Sequence, residues 1–117
     1  MRKELEQLIF EGKLTDEIEI LGKKWVLQTI TVDDNREIAK KINTGNEGVN
    51  ILNFKIDSVA RSLVSIDDIV FNDYKEKSEF VQKLPLAVVD KLFSVHTKLI
   101  NKLDSSFNEE TMEELKN

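Results

Sequence analysis

Glu17-Ile18-Glu19-Ile20-Leu21-Gly22-Lys23-Lys24-Trp25-Val26-Leu27-Gln28-Thr29-Ile30 is the stretch whose reading decides the fold class. Its first half alternates acid and isoleucine, the period of a half-buried strand, and its second half is β-branched and aromatic. A glycine-containing connection joins the two runs, so the stretch predicts a β-hairpin over about 17–30. Trp25 is its expected core anchor.

Working outward, the rest of the chain reads as helical. Upstream, Leu5, Leu8 and Ile9 stand at i, i+3 and i+4 before Gly12, a short helix that needs a docking partner to be stable. Downstream, Thr31 can cap a helix with Asp33 and Asp34 in its first turn, where the helix dipole favours negative charge. That helix is expected to run to about Ile42 with Ile38, Ala39 and Ile42 facing inward. Asn43-Thr44-Gly45-Asn46-Glu47-Gly48 is the most loop-like segment. Val49, Leu52, Ile56, Val59, Ala60, Leu63 and Val64 then keep helical spacing, with Asn53, Asp57 and Arg61 on the opposite face. Ile66 to Phe71 is either a short extended segment or a turn, and periodicity does not choose between them. Residues 74–84 predict another helix. Pro85 suits the first turn of the next, which carries Val88, Val89, Leu92, Phe93, His96, Leu99, Ile100 and Leu103. A last helix is expected over about 108–116, with Met112 and Leu115 apolar. The fold class is therefore α+β, mostly α. A single domain of 1–117 is expected, with an N-terminal hairpin packed on a bundle of four or five helices, the helical part spanning about 32–104.

Composition narrows the chemistry. The 117 residues include no Cys, one His, one Pro, 17 basic and 22 acidic side chains, for a net charge of -5. No disulfide, thiolate metal site or cysteine nucleophile is available, and no two-histidine metal motif. The acidic balance gives no pull toward a phosphate backbone, so no nucleic-acid partner is expected. No run approaches the roughly 18–20 apolar residues of a membrane span, and no signal core follows the first residues. A cytosolic protein is the reading.

The candidate constellations have plain structural explanations. His96 lies on the apolar stripe between Phe93 and Ile100, and Ser94 and Thr97 point to other helix faces, so a packed histidine is favoured over a catalytic base. Asp67, Asp68 and Asp73 lack the glycine and the ligand alternation of a calcium loop and read as turn and capping acids. Gly45-Asn46-Glu47-Gly48 lacks the Lys-Ser/Thr ending of a phosphate loop. Neither a catalytic set, a cofactor site nor a metal site is expected. What remains is apolar surface: the stripe of the long helix covers more than one face, which makes Val88, Val89, Leu92, Phe93 and Leu99, with Met112 and Leu115, the protein-contact candidates. Core packing competes with that reading, and self-association is one use of such a surface.

Three segments carry a family resemblance. Ile18 to Asp34, through Leu27-Gln28-Thr29-Ile30-Thr31-Val32-Asp33-Asp34, resembles the opening of tail assembly chaperones of long-tailed bacteriophages, which enter a helix through Leu/Ile-Thr-Val-x-Asp. Val59-Ala60-Arg61-Ser62-Leu63-Val64-Ser65-Ile66-Asp67-Asp68 is similar to their Leu-Ala-x-Ala-Ile-x-Ser-Ile-Asp-Gly segment, with Asp68 standing where that family often has Gly. Phe80 to Leu92, through Leu84-Pro85-Leu86-Ala87-Val88-Val89-Asp90-Lys91-Leu92, resembles their Leu-Pro-x-x-Val-Val-Asp-x-Leu helix start. The segments occur in the family's order over about two-thirds of the chain. The resemblance implies a non-enzymatic role in phage tail assembly, in the host cytoplasm, with tape measure, tail tube or baseplate subunits as partners. A structural subunit of the virion baseplate or tail is the alternative, and a small bacterial adaptor domain the second.

Overall fold

A computed structural model describes the backbone of residues 1–116 and the side chains of residues 1–105. In it the alternation of Ile18 and Ile20 becomes the inner face of β1 (Thr15–Ile20), which pairs antiparallel with β2 (Lys23–Gln28) so that Ile18 stands opposite Trp25. The two-residue connection Leu21-Gly22 has positive φ at both positions, 55° and 72°. This is the handedness that matches the right-handed twist of a tight hairpin.

The segment after the third helix resolves into a second hairpin, β3 (Leu63–Ile66) and β4 (Ile69–Val70), which adds to the first in the order β1-β2-β3-β4, all antiparallel. Leu63 and Val64 therefore leave the helix that their spacing predicted. The cause is non-local: the Ser62 hydroxyl donates to the Gln28 carbonyl at 2.6 Å, and Leu63 pairs with Leu27. Val26 pairs with Ser65, so Val64 is left over as a one-residue bulge. The bulge lets Leu63 and Ile66, three positions apart, both face the core. Asp67, not Asp68, takes the left-handed backbone of the second turn, φ 50°, and its carboxylate accepts the Lys24 N–H at 2.7 Å.

Five helices accompany this sheet among the described residues. They are α1 (Lys3–Glu11), α2 (Val32–Lys41), α3 (Glu47–Ser62), α4 (Tyr74–Gln82) and α5 (Leu86–Lys116). Thr31 and Asp34 form a reciprocal capping box at α2, and Asn46 and Asp73 accept backbone N–H groups at the starts of α3 and α4. Each satisfies donors that a helix start leaves orphaned. Pro85 sits just ahead of α5, its carbonyl accepting from Val88 and Val89. The core joins Trp25, Leu27, Leu63 and Ile66 of the sheet to Val59 and Ala60 of α3, Val81 of α4 and the inner stripe of α5. Ile38 is buried as expected, but Ala39 is exposed: α2 is amphipathic over a narrower stripe than its sequence implied. No residue of α1 is buried.

Candidate functional site

The residues singled out for contact on α5 are mostly core. Val88, Val89, Leu92 and Leu99 are between 0% and 8% exposed, and they pack against the sheet and α3. Phe93 is half-buried, its ring edge-on to Phe54 at 5.7 Å, and the neighbouring Lys55–Asp90 ion pair at 3.2 Å holds α5 to α3. These five side chains hold the domain together and are not a free docking surface. Met112 and Leu115 lie outside the residues whose side chains are described, and the separate helix expected over 108–116 is instead the last part of the continuous α5.

Exposed apolar surface is found elsewhere. The two hairpin tips and α4 enclose a groove of about 500 Å³ lined by Leu21, Trp25, Ile66, Ile69, Phe71, Phe80 and Leu84, with Lys23 and Glu76 as its polar members. Trp25 and Ile66 form a buried floor. Phe80 links the walls, its ring centroid 5.9 Å from Trp25 and 5.5 Å from Phe71. The one polar group of the floor, the indole N–H, already donates to the Ile20 carbonyl at 3.0 Å. The floor thus offers a visitor no polar partner, and the groove selects apolar groups.

Leu21 at the rim is the most informative residue. A left-handed backbone costs an L residue with a branched side chain roughly 1–2 kcal/mol, which is why such turns favour Asn, Asp and Gly. Leu21 bears this strain while 75% exposed, so packing within the chain returns little. Ile69, at the tip of the other hairpin, is 58% exposed. Leu21 thus combines backbone strain with apolar exposure beside an apolar groove, and packing within the chain does not offset it.

A second cluster ties α2, α3 and α4 together. Asp57, expected on the solvent face of α3, is 4% exposed. It accepts from Arg61 and Lys41, each at 3.5 Å. Arg61 also reaches Asp34 at 3.2 Å, and its guanidinium lies 4.0 Å from the centre of the Tyr74 ring. Lys41 donates to the Tyr74 hydroxyl at 2.7 Å. Each charge has an opposite partner, so the cluster reads as interhelical structure, with a polar cleft of about 330 Å³ beside Lys41, Asp57 and Tyr74. Burial holds the nearby Lys77 ammonium below its usual range.

His96 is 2% exposed and its Nδ1 has no hydrogen-bond partner. Desolvation pulls its pKa below 6.5, and the ring packs against Phe93 at 5.9 Å. An imidazole sealed in this way is out of reach of a substrate. Among the described residues no group of three or more His, Asp or Glu side chains is placed to hold a metal ion, and no helix is long and apolar enough to cross a membrane. Sequence reasoning missed the groove because its lining comes from three separate stretches, around residues 21–25, 66–71 and 76–84. The one local signal was Leu in a turn position that ordinarily takes Asn or Asp. The chain matches no family model, no curated protein and no solved structure.

Proposed function

We propose that this chain is a non-enzymatic phage tail assembly factor, a tail assembly chaperone, that holds an apolar helical segment of a tail protein in the groove between its hairpin tips and α4. The observation that carries the binding reading is Leu21: strained at φ 55°, 75% exposed, and set on the rim of an apolar cavity. The phage-tail reading is supported by the three sequence segments that resemble tail assembly chaperones. A groove with an apolar floor and exposed apolar rim suits the apolar anchors of an amphipathic helix, spaced at i, i+3 or i+4 and i+7. Such segments, in a long tape measure protein awaiting tail tube subunits, aggregate unless covered. The acidic balance of the chain, 22 acids against 17 bases, keeps the complex dispersed in the host cytoplasm.

The test is co-expression with the tape measure protein of the same phage. The wild-type chain is expected to keep that protein soluble and to co-purify with it, and the double substitution Leu21→Lys, Ile69→Lys to lose both effects while staying folded. A tape measure protein equally soluble with either variant would refute the proposal. Mass spectrometry of purified virions separates the roles: a chaperone is absent from particles, whereas abundant peptides from this chain would make it a structural subunit of the baseplate or tail.

A further inference from the structure

We infer that the outer edge of β1 is a strand-addition site whose partner is an extended segment alternating Lys or Arg with apolar residues. The sheet order β1-β2-β3-β4 leaves β1 as an edge strand. Leu21 and Gly22 form a two-residue turn, so the flanking Ile20 and Lys23 are a hydrogen-bonded pair. By alternation Ile18–Trp25 and Asp16–Leu27 are bonded pairs as well. At the open end of the hairpin the Thr29 N–H donates to the Leu14 carbonyl at 3.0 Å, in the same phase. The N–H and C=O groups of Thr15, Glu17 and Glu19 therefore point away from β2, along the edge.

No other strand pairs with that row. The Glu17 N–H donates to the neighbouring Asp16 carboxylate at 2.8 Å, a local substitute for a strand acceptor. Among the described residues, the Thr15 and Glu19 N–H groups have no hydrogen-bond partner within the chain. Thr15, Asp16, Glu17 and Glu19 are all exposed, so no other element covers the edge. A six-residue edge with unpaired backbone groups is a template for another strand.

Charge selects the occupant. Glu17 and Glu19 share the outer face of the sheet, and Lys24 of β2 serves that face with one ion pair, 3.5 Å from Glu17. In an antiparallel addition, the residues opposite Glu17 and Glu19 project on the same face, where Lys or Arg makes cross-strand ion pairs. The residue between them stands opposite the half-buried Ile18, on the core side, where an apolar side chain extends the core. A second copy of the chain does not fit. Pairing the three outward residues of two β1 strands sets Glu17 against Glu17, and like charges directly opposite each other are destabilising. The acids that admit a basic strand thus keep copies of the chain apart, which is how an edge of this length is tolerated.

The probe is a capped peptide of alternating Lys and Val, titrated into the full chain and followed by amide NMR and hydrogen exchange. It is expected to bind and to slow exchange of the Thr15 and Glu19 amides at least tenfold. The same peptide N-methylated at its lysine backbone nitrogens keeps its charge and is expected to lose binding, as is a peptide of alternating Glu and Val. Glu17→Gln with Glu19→Gln should weaken binding about fivefold at unchanged circular dichroism. Leu21→Lys with Ile69→Lys should leave it unchanged, because this edge is separate from the groove. Unprotected Thr15 and Glu19 amides would overturn the inference. So would equal binding of the N-methylated peptide, which would reduce the contact to charge attraction.

Discussion

Leu21→Asn is expected to stabilise the fold while impairing its use. The left-handed backbone at Leu21 costs roughly 1–2 kcal/mol for a leucine and much less for asparagine, whose short polar side chain is compatible with that region. Against this stands lost burial. Leu21 is 75% exposed, so about a quarter of the roughly 1.5–3 kcal/mol of a buried leucine, on the order of 0.5 kcal/mol, disappears. The net expectation is a gain of about 1 kcal/mol. With a urea m-value of about 2 kcal/mol/M, the midpoint rises by about 0.5 M at unchanged slope. The melting temperature rises by about 4 °C for a domain of this size. Equilibrium urea unfolding followed by Trp25 fluorescence reads both quantities, and the tape measure co-expression reads the loss of binding. A midpoint that falls instead would show that Leu21 is a packing residue of the domain, and would refute the reasoning that assigns it to a partner.

Three further expectations follow from the core and its charges. Leu92→Ala, at a fully buried position, should cost about 2–5 kcal/mol in urea unfolding, whereas a change below about 1 kcal/mol would return Leu92 to the contact surface. Asp57→Ala should cost about 2–3 kcal/mol, because it strips the buried end of Arg61 of one carboxylate while Asp34 and the Tyr74 face remain. The His96 imidazole is held below 6.5 in the folded chain by desolvation, so between the folded and unfolded values the unfolded chain binds the extra proton. Its contribution is therefore fully present above about pH 6.5 and lost as pH falls through the folded value, and His96→Leu should flatten the difference in urea midpoint between about pH 7.5 and about pH 5.5.

The sequence was legible where structure is local. Alternation of Ile18 and Ile20 with a glycine two residues on specifies the first hairpin, and Thr31 followed by Asp34 specifies a helix start, because both signals lie within a few residues. The second hairpin was hidden because Leu63 and Val64 continue the helical spacing of Val59 and Ala60. Only the distant Leu27 and the Gln28 carbonyl convert them into strand. Asp57 was placed on the wet face by the same periodicity, and its cationic partners Lys41 and Arg61 come from two helices. On α5, core and contact surface look alike in sequence, since both are written in Val, Leu and Phe. Burial decided between them.

The proposal that the groove takes an apolar helical segment of a tape measure protein is tested most directly by titrating such a segment into wild type and Leu21→Asn and comparing the affinities by calorimetry. Covering the exposed three-quarters of Leu21 is worth roughly 1–2 kcal/mol, so affinity should fall about tenfold while the variant melts higher than wild type. Equal affinity for the two proteins would contradict the groove as the docking site.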